Sequence, residues 1–141
     1  MVEPRFLLDT NVLSEPLRPQ PNVGVLQKLK EHQGLLATTS LVIHELLFGL
    51  ERLDPSKKKR LIGEYLDELL SSPMPIYPYD LEASRWHSRE RARLEKLGRT
   101  ASFRDSQIGS VAQVRGLVLV TANVAHFQPL SGLAIENWMS S

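Results

Sequence analysis

The chain contains no cysteine. That excludes disulfides, thiolate-bound metals and a thiol nucleophile, and it agrees with a reducing cytoplasm. Excess charge of one sign is missing as well: 17 Lys and Arg stand against 16 Asp and Glu, a net +1 with neutral histidines. The whole molecule is therefore no polycation, and nucleic-acid contact would need local basic patches. No apolar run approaches the roughly 18–20 residues of a membrane-spanning helix. The opening Met1-Val2-Glu3-Pro4-Arg5 lacks the basic-then-apolar order of an export signal. Together these absences predict a cytoplasmic protein that makes no membrane contact.

What is present fits one globular domain. Over 141 residues, 42% are hydrophobic and 23% charged, enough for one real core and too apolar for disorder. Neither repeat nor low-complexity segment divides the chain, so a single domain over 1–141 is expected. Two basic patches stand out, Lys57-Lys58-Lys59-Arg60 and the set Arg85, Arg89, Arg91, Arg93 and Lys96 on one helix. Each is equally explained as a solvated helix face.

Strand and helix signals alternate. Arg5 to Leu8 suits a buried strand, and Leu35-Leu36-Ala37 a second. Leu117 to Thr121, β-branched and continuous, is the clearest strand, and Ala134-Ile135 suits an edge. Helices are expected from Val12 to Leu17 with a break at Pro16, from Val23 to a stop at Gly34, from Ser40 to Leu53, and from Ser56 to Leu70. Two more run from Asp80 to Gly98 and from Ser102 to Gly116. Residues 73–78 form an extended connector with room for a short strand. Strands separated by helices imply crossovers and a parallel sheet covered on both faces, an α/β fold. Residues 40–97 carry few strand signals and suggest a helical lobe standing off the sheet.

Acids occur where acids are costly. Asp9 follows an apolar strand, the position where α/β sheets gather ligands; it is also a good cap for the helix that follows. Glu45 lies in Leu41-Val42-Ile43-His44-Glu45-Leu46-Leu47-Phe48, a helix apolar nearly all round and so expected to be largely buried. A carboxylate there needs a metal ion, an arginine partner or a route to solvent. Asp105 falls in the first turn of the helix opened by Ser102, where a capping role explains it equally well. Thr121 and Asn123 end the best strand, where Asn123 is also an ordinary turn residue. Three acids without a Cys/His cluster favour Mg²⁺ or Mn²⁺ over Zn²⁺.

These blocks come in a telling order: Leu7-Leu8-Asp9-Thr10-Asn11-Val12, then Glu45 in a helix, then Asp105-Ser106-Gln107-Ile108-Gly109 with Ala112. Leu119-Val120-Thr121-Ala122-Asn123, His126-Phe127, and Gly132-Leu133 with Glu136 and Trp138 complete it. The chain resembles the PIN-domain family and, within it, the VapC-type toxins; Asp9 to Pro21, with Ser14-Glu15-Pro16-Leu17-Arg18, is similar to the FitB-like branch. The resemblance implies a three-layer α/β/α sandwich with a central parallel sheet and metal-dependent cleavage of RNA. Asp9, Glu45 and Asp105 match the three family acids as catalytic and metal-binding residues, with Thr10, Asn11, Thr121 and Asn123 in support. Many members carry a fourth acid where this chain has Asn123, which argues against a two-metal site. Arg99 and Arg104 are candidates for phosphate contacts, or ordinary surface charges. The resemblance also implies a homodimer and a cognate antitoxin protein that carries the DNA-binding role. Leu47, Leu50, Leu61 and Leu66 are candidates for these interfaces, with core packing as the default. Two other functions fit the same acids: a metal-dependent DNA nuclease or phosphatase, and a non-catalytic interaction module on the same scaffold.

Overall fold

Three apolar residues, Phe6–Leu8, form β1, and all three are buried. They sit at the centre of a five-stranded sheet with the order β3-β2-β1-β4-β5. The other strands are β2 (Leu36–Thr39), β3 (Ile76–Tyr77), β4 (Val118–Val120) and β5 (Ile135–Glu136). Every pairing is parallel; Phe6 to Leu8 lie against Val118 to Val120 on one side, and Phe6 and Leu7 against Leu36 and Ala37 on the other. The computed structural model describes residues 3–140. Met1 and Val2, where the reading of the N-terminus as no export signal begins, lie outside them.

Seven α-helices accompany the sheet among the described residues: α1 (Thr10–Leu13), α2 (Val23–Glu31), α3 (Ser40–Glu51), α4 (Lys57–Ser71), α5 (Leu81–Lys96), α6 (Phe103–Val114) and α7 (Val124–Phe127). Most starts are capped as the residue types dictate. Asn22, Ser56, Asp80 and Ser102 each accept a hydrogen bond from a backbone N–H three residues on. The glycines expected to stop α2, α5 and α6 do so in the left-handed region, with φ of 92° at Gly34 and 67° at Gly98 and Gly116.

Several details depart from expectation. The first helix divides at Ser14 into α1 and a 3₁₀ turn over Glu15–Leu17, with Pro16 inside the turn, where its missing N–H costs nothing. β2 starts one residue late and runs on to Thr39, because Thr38 and Thr39 pair with Ile76 and Tyr77. Thr39, rather than Ser40, therefore caps α3. Residues 40–97 are not a detached lobe: β3 interrupts them as an edge strand, and Val42, Ile43, Leu46, Leu66, Ala83 and Leu94 belong to the common core. α7 has no counterpart in the sequence reading; four residues are too few to show periodicity.

The C-terminal segment is tied to α2. Trp138 is buried edge-on to Phe6, and its indole N–H donates to Glu136. A Cβ added to Gly24 would lie 2.8 Å from Ser140 Cβ and 2.9 Å from both Ser140 N and the Trp138 carbonyl oxygen. Backbone cannot yield there as a flexible side chain would. Gly24→Ala is therefore expected to destabilise the chain by about 1–3 kcal/mol through overcrowding, despite alanine's better helix propensity of about 1 kcal/mol. Urea denaturation followed by tryptophan fluorescence checks this.

Candidate active site

The strand order reverses its winding direction between β1 and β4, and the crevice beyond the carboxyl ends of those two strands is where open α/β sheets bind ligands. β1 delivers Asp9 to that crevice, and β4 delivers Thr121. The junction is fixed by backbone: Asp9 N–H donates to the Val120 carbonyl at 3.0 Å. Both side chains are fully buried.

Asp9 takes the capping role foreseen for it. It caps α1, its Oδ1 accepting from Thr10 N–H at 2.8 Å. Its Oδ2 accepts from the Thr121 hydroxyl at 2.9 Å and, more weakly, from Asn11 Nδ2 at 3.4 Å. Asn11 ties the two strand ends together, because its Oδ1 accepts from Ala122 N–H at 3.0 Å. Thr121 Oγ1 in turn accepts from Asn123 N–H at 3.0 Å. The Asn123 backbone thus belongs to the crevice, while its residue is exposed and its side chain does not cap α7.

α3 brings Glu45 to the same crevice. The Thr10 hydroxyl donates to Glu45 Oε2 at 2.8 Å. The helix is less enclosed than its composition suggests. Val42, Ile43 and Leu46 face the core, whereas Phe48 is 57% exposed and the Glu45 side chain keeps 31% of its surface open. The apolar residues at 47 and 48 form a surface instead of a second core face. On α6, Ser102 accepts from Asp105 N–H at 3.0 Å, and the same first turn aims the Asp105 carboxylate at the other two. His126 joins the rim, its Nδ1 3.7 Å from Asp105 Oδ2.

The centre of this acidic ring is a guanidinium. Arg104 reaches Asp9 Oδ1 at 3.0 Å and the Thr10 hydroxyl at 3.1 Å through Nη2. It donates to both oxygens of Glu45, from Nε and Nη2, and to Asp105 from Nη1. The expectation had Arg104 reaching for phosphate; in the structure its donors are turned inward onto the acids. Among the described residues no three Asp, Glu or His side chains are spaced to share one ion as they stand. The carboxylates converge on the guanidinium instead of on one another. Burial pushes the Glu45 carboxyl upward, but the hydrogen bonds from Arg104 and Thr10 outweigh it and hold Glu45 below its usual value. The Glu45 hydrogen bond likewise raises Arg104 further above its already high value, against the opposing effect of burial.

One feature of the sequence bears on this role without naming the partners. Arg104 is the second residue of α6, at the positive end of a helix dipole, where a cation is disfavoured by about 0.3–1 kcal/mol. A cation held there implies acids close by. Arg99, by contrast, is exposed and lies apart from the carboxylates. It lines a cavity of about 330 Å³ between α5 and α6, together with Arg91, Thr100, Phe103 and Ser106.

The donor set fits a hard divalent cation. It offers three carboxylates from three elements, already directed at one positive centre, with hydroxyls beside them. The group now at that centre is a long side chain with 39% of its surface exposed, and so has room to withdraw.

A parallel sheet in this order, with acids gathered at its switch point, defines an α/β domain that binds its ligand beyond the carboxyl ends of β1 and β4. The PIN-domain family model matches residues 6–128, and the chain belongs to that family. It is 32% identical to the toxin FitB of Neisseria gonorrhoeae, over 94% of this chain and 98% of FitB. It is 29% identical to the tRNA(fMet)-specific endonuclease VapC of Shigella flexneri, over 95% of this chain and 98% of that protein. The crystal structure of FitAcB from Neisseria gonorrhoeae superposes with a TM-score of 0.86 at 29% identity, covering 94% of this chain and 96% of that one.

Proposed function

We propose that this chain is a metal-dependent endoribonuclease, the toxin of a toxin–antitoxin pair. The observation that carries the reading is the convergence of Asp9, Glu45 and Asp105, from β1, α3 and α6, on one cation position at the β1–β4 switch point. Asp9, Glu45 and Asp105 would hold Mg²⁺ or Mn²⁺. When bound, such an ion supplies a Lewis acid that activates water and offsets charge developing on a phosphodiester.

The side chains divide the remaining work by exposure. Asp9, with no exposed surface, is held in place by Thr121, Thr10 and Asn11 at the base of the crevice. Glu45 is open to solvent along 31% of its side chain and is the carboxylate placed to take a proton from attacking water at Oε1 or Oε2. Thr10 orients it through Oε2. RNA cleavage in Mg²⁺ by the purified chain, with DNA and phosphomonoesters in parallel, tests the reading. Cleavage of DNA but not RNA would overturn it.

The relatives named as toxins support a cognate antitoxin as partner. The exposed Leu47, Phe48 and Leu61 of α3 and α4 suit an antitoxin or a second copy in a homodimer, whereas Leu66 is core. DNA binding would belong to that antitoxin, and the near-neutral net charge of +1 agrees with this. No helix among the described residues is long and apolar enough to cross a membrane. Action in the cytoplasm by a single domain is part of the same proposal. Arg99 would contact an RNA phosphate from the α5–α6 cavity. Arg99→Ala is then expected to weaken RNA binding severalfold and to flatten its salt dependence by about 0.7 in the log–log slope. A fluorescence-anisotropy series in salt measures both.

A further inference from the structure

Arg104 draws on every acid of the crevice at once. It donates to Asp9, to both oxygens of Glu45 and to Asp105, and it touches the Thr10 hydroxyl that itself orients Glu45. No other side chain among the described residues bridges all three acids. Its partners lie one, 59 and 95 positions away in sequence, so the arrangement is built by the fold and not by helix neighbourhood alone.

The charges explain why it sits there. Three carboxylates brought together, one of them fully buried, repel one another and need a positive group between them. A planar guanidinium with five donors is the side chain best shaped to meet several carboxylates together. Its hold is limited from two sides. It carries a single charge spread over a plane, against net two unbalanced negatives. It is also anchored at the second position of α6, at the end of the helix dipole that disfavours a cation. A compact divalent ion puts twice the charge at the same place, and the exposed side of Arg104 leaves the guanidinium a way out.

We infer that Arg104 is a built-in stand-in for the catalytic cation: it closes the acidic crevice from within the same chain, and a divalent metal binds only by displacing it. This rests on the metal-dependent reading above and adds the regulation of that site. The resting chain is then held in a closed state, and its apparent metal affinity is lowered by the fraction of molecules in which Arg104 has withdrawn.

Mn²⁺ binding to the metal-free chain, read from loss of the free-ion electron paramagnetic resonance signal, tests this without reference to activity. Arg104→Gln is expected to bind Mn²⁺ at least about tenfold more tightly than the native chain, which corresponds to a closed state occupied nine times in ten or more. Arg104→Lys keeps a cation but cannot span three carboxylates, so it should fall between the two; it also serves if the glutamine variant folds poorly without metal. Thermal unfolding supplies a second readout. The glutamine variant should melt below the native chain in chelator and close the gap in saturating Mn²⁺, whereas a residue needed only for structure would leave the gap open. Equal or weaker Mn²⁺ binding by both variants overturns the inference and leaves the metal reading standing. Absence of Mn²⁺ binding in all three proteins overturns both.

Discussion

Asp9→Asn should abolish RNA cleavage, lowering kcat/KM by at least about a hundredfold, the scale on which removing one electrostatic partner from a reacting centre acts, while the chain stays folded. The reasoning starts from burial. Asp9 is the one acid of the crevice with no exposed surface, at the end of the central strand, so no water or neighbouring side chain replaces its charge. Asparagine keeps the shape and one acceptor oxygen. Its oxygen can still cap α1 through Thr10 N–H, while its amide nitrogen then faces the Thr121 hydroxyl, which can accept from it, but the charge that both Arg104 and a divalent cation need is gone. The fold loses little, because one negative charge is withdrawn from a cluster in which three carboxylates face a single guanidinium. Cleavage rates against a metal series, beside circular dichroism of the same samples, separate the two effects. Native-like cleavage by the variant would remove Asp9 from the machinery, and lost helicity would assign it to structure.

How much of this was legible before the structure depends on the physical origin of each feature. β4 and β1 could be placed because continuous apolar residues have few alternatives to a doubly covered strand. Five helix starts could be placed to within a residue, α3, α5 and α6 by Ser40, Asp80 and Ser102 as opening residues and α2 and α4 by apolar spacing, since both signals act locally. β3 was barely visible because two residues between prolines gain strand character only by pairing with Thr38 and Thr39, 38 positions away. The partial exposure of α3 was hidden for a related reason: composition reports how apolar a helix is, not how many of its faces the fold covers. Asp9, Glu45 and Asp105 could be proposed as a set from residue type and order, yet their common centre could not. Which cation lies between them depends on where the Arg104 side chain points, and neighbouring Asp105 in sequence does not reveal its contact with Asp9. His126 was passed over as part of a motif because its approach to Asp105 exists only once α7 has folded back from β4.

The hydroxyl of Thr121 offers the sharpest test of how the crevice is held. It is fully buried and works in both directions, donating to Asp9 Oδ2 at 2.9 Å and accepting from Asn123 N–H at 3.0 Å, with Asn11 Nδ2 at 3.4 Å. Through it the carboxyl ends of β1 and β4 share one hydrogen-bond network on either side of the switch point. Thr121→Val preserves volume and β-branching and removes only the oxygen. Asp9 then loses a donor, and Asn123 N–H loses its acceptor. A buried carboxylate deprived of a partner costs about 1–3 kcal/mol, and loss of an outer support of a metal-binding carboxylate lowers affinity or activity by about 10–100-fold. Both losses are expected in the valine variant. Thr121→Ser restores the oxygen and gives up a methyl group, so it should recover most of the activity while remaining about 1 kcal/mol less stable than the native chain. Steady-state RNA cleavage and urea midpoints on the three proteins decide the matter. If serine is as impaired as valine, the methyl group's packing is what holds the crevice, and if valine cleaves RNA like the native chain, Asp9 does not depend on β4 for its position.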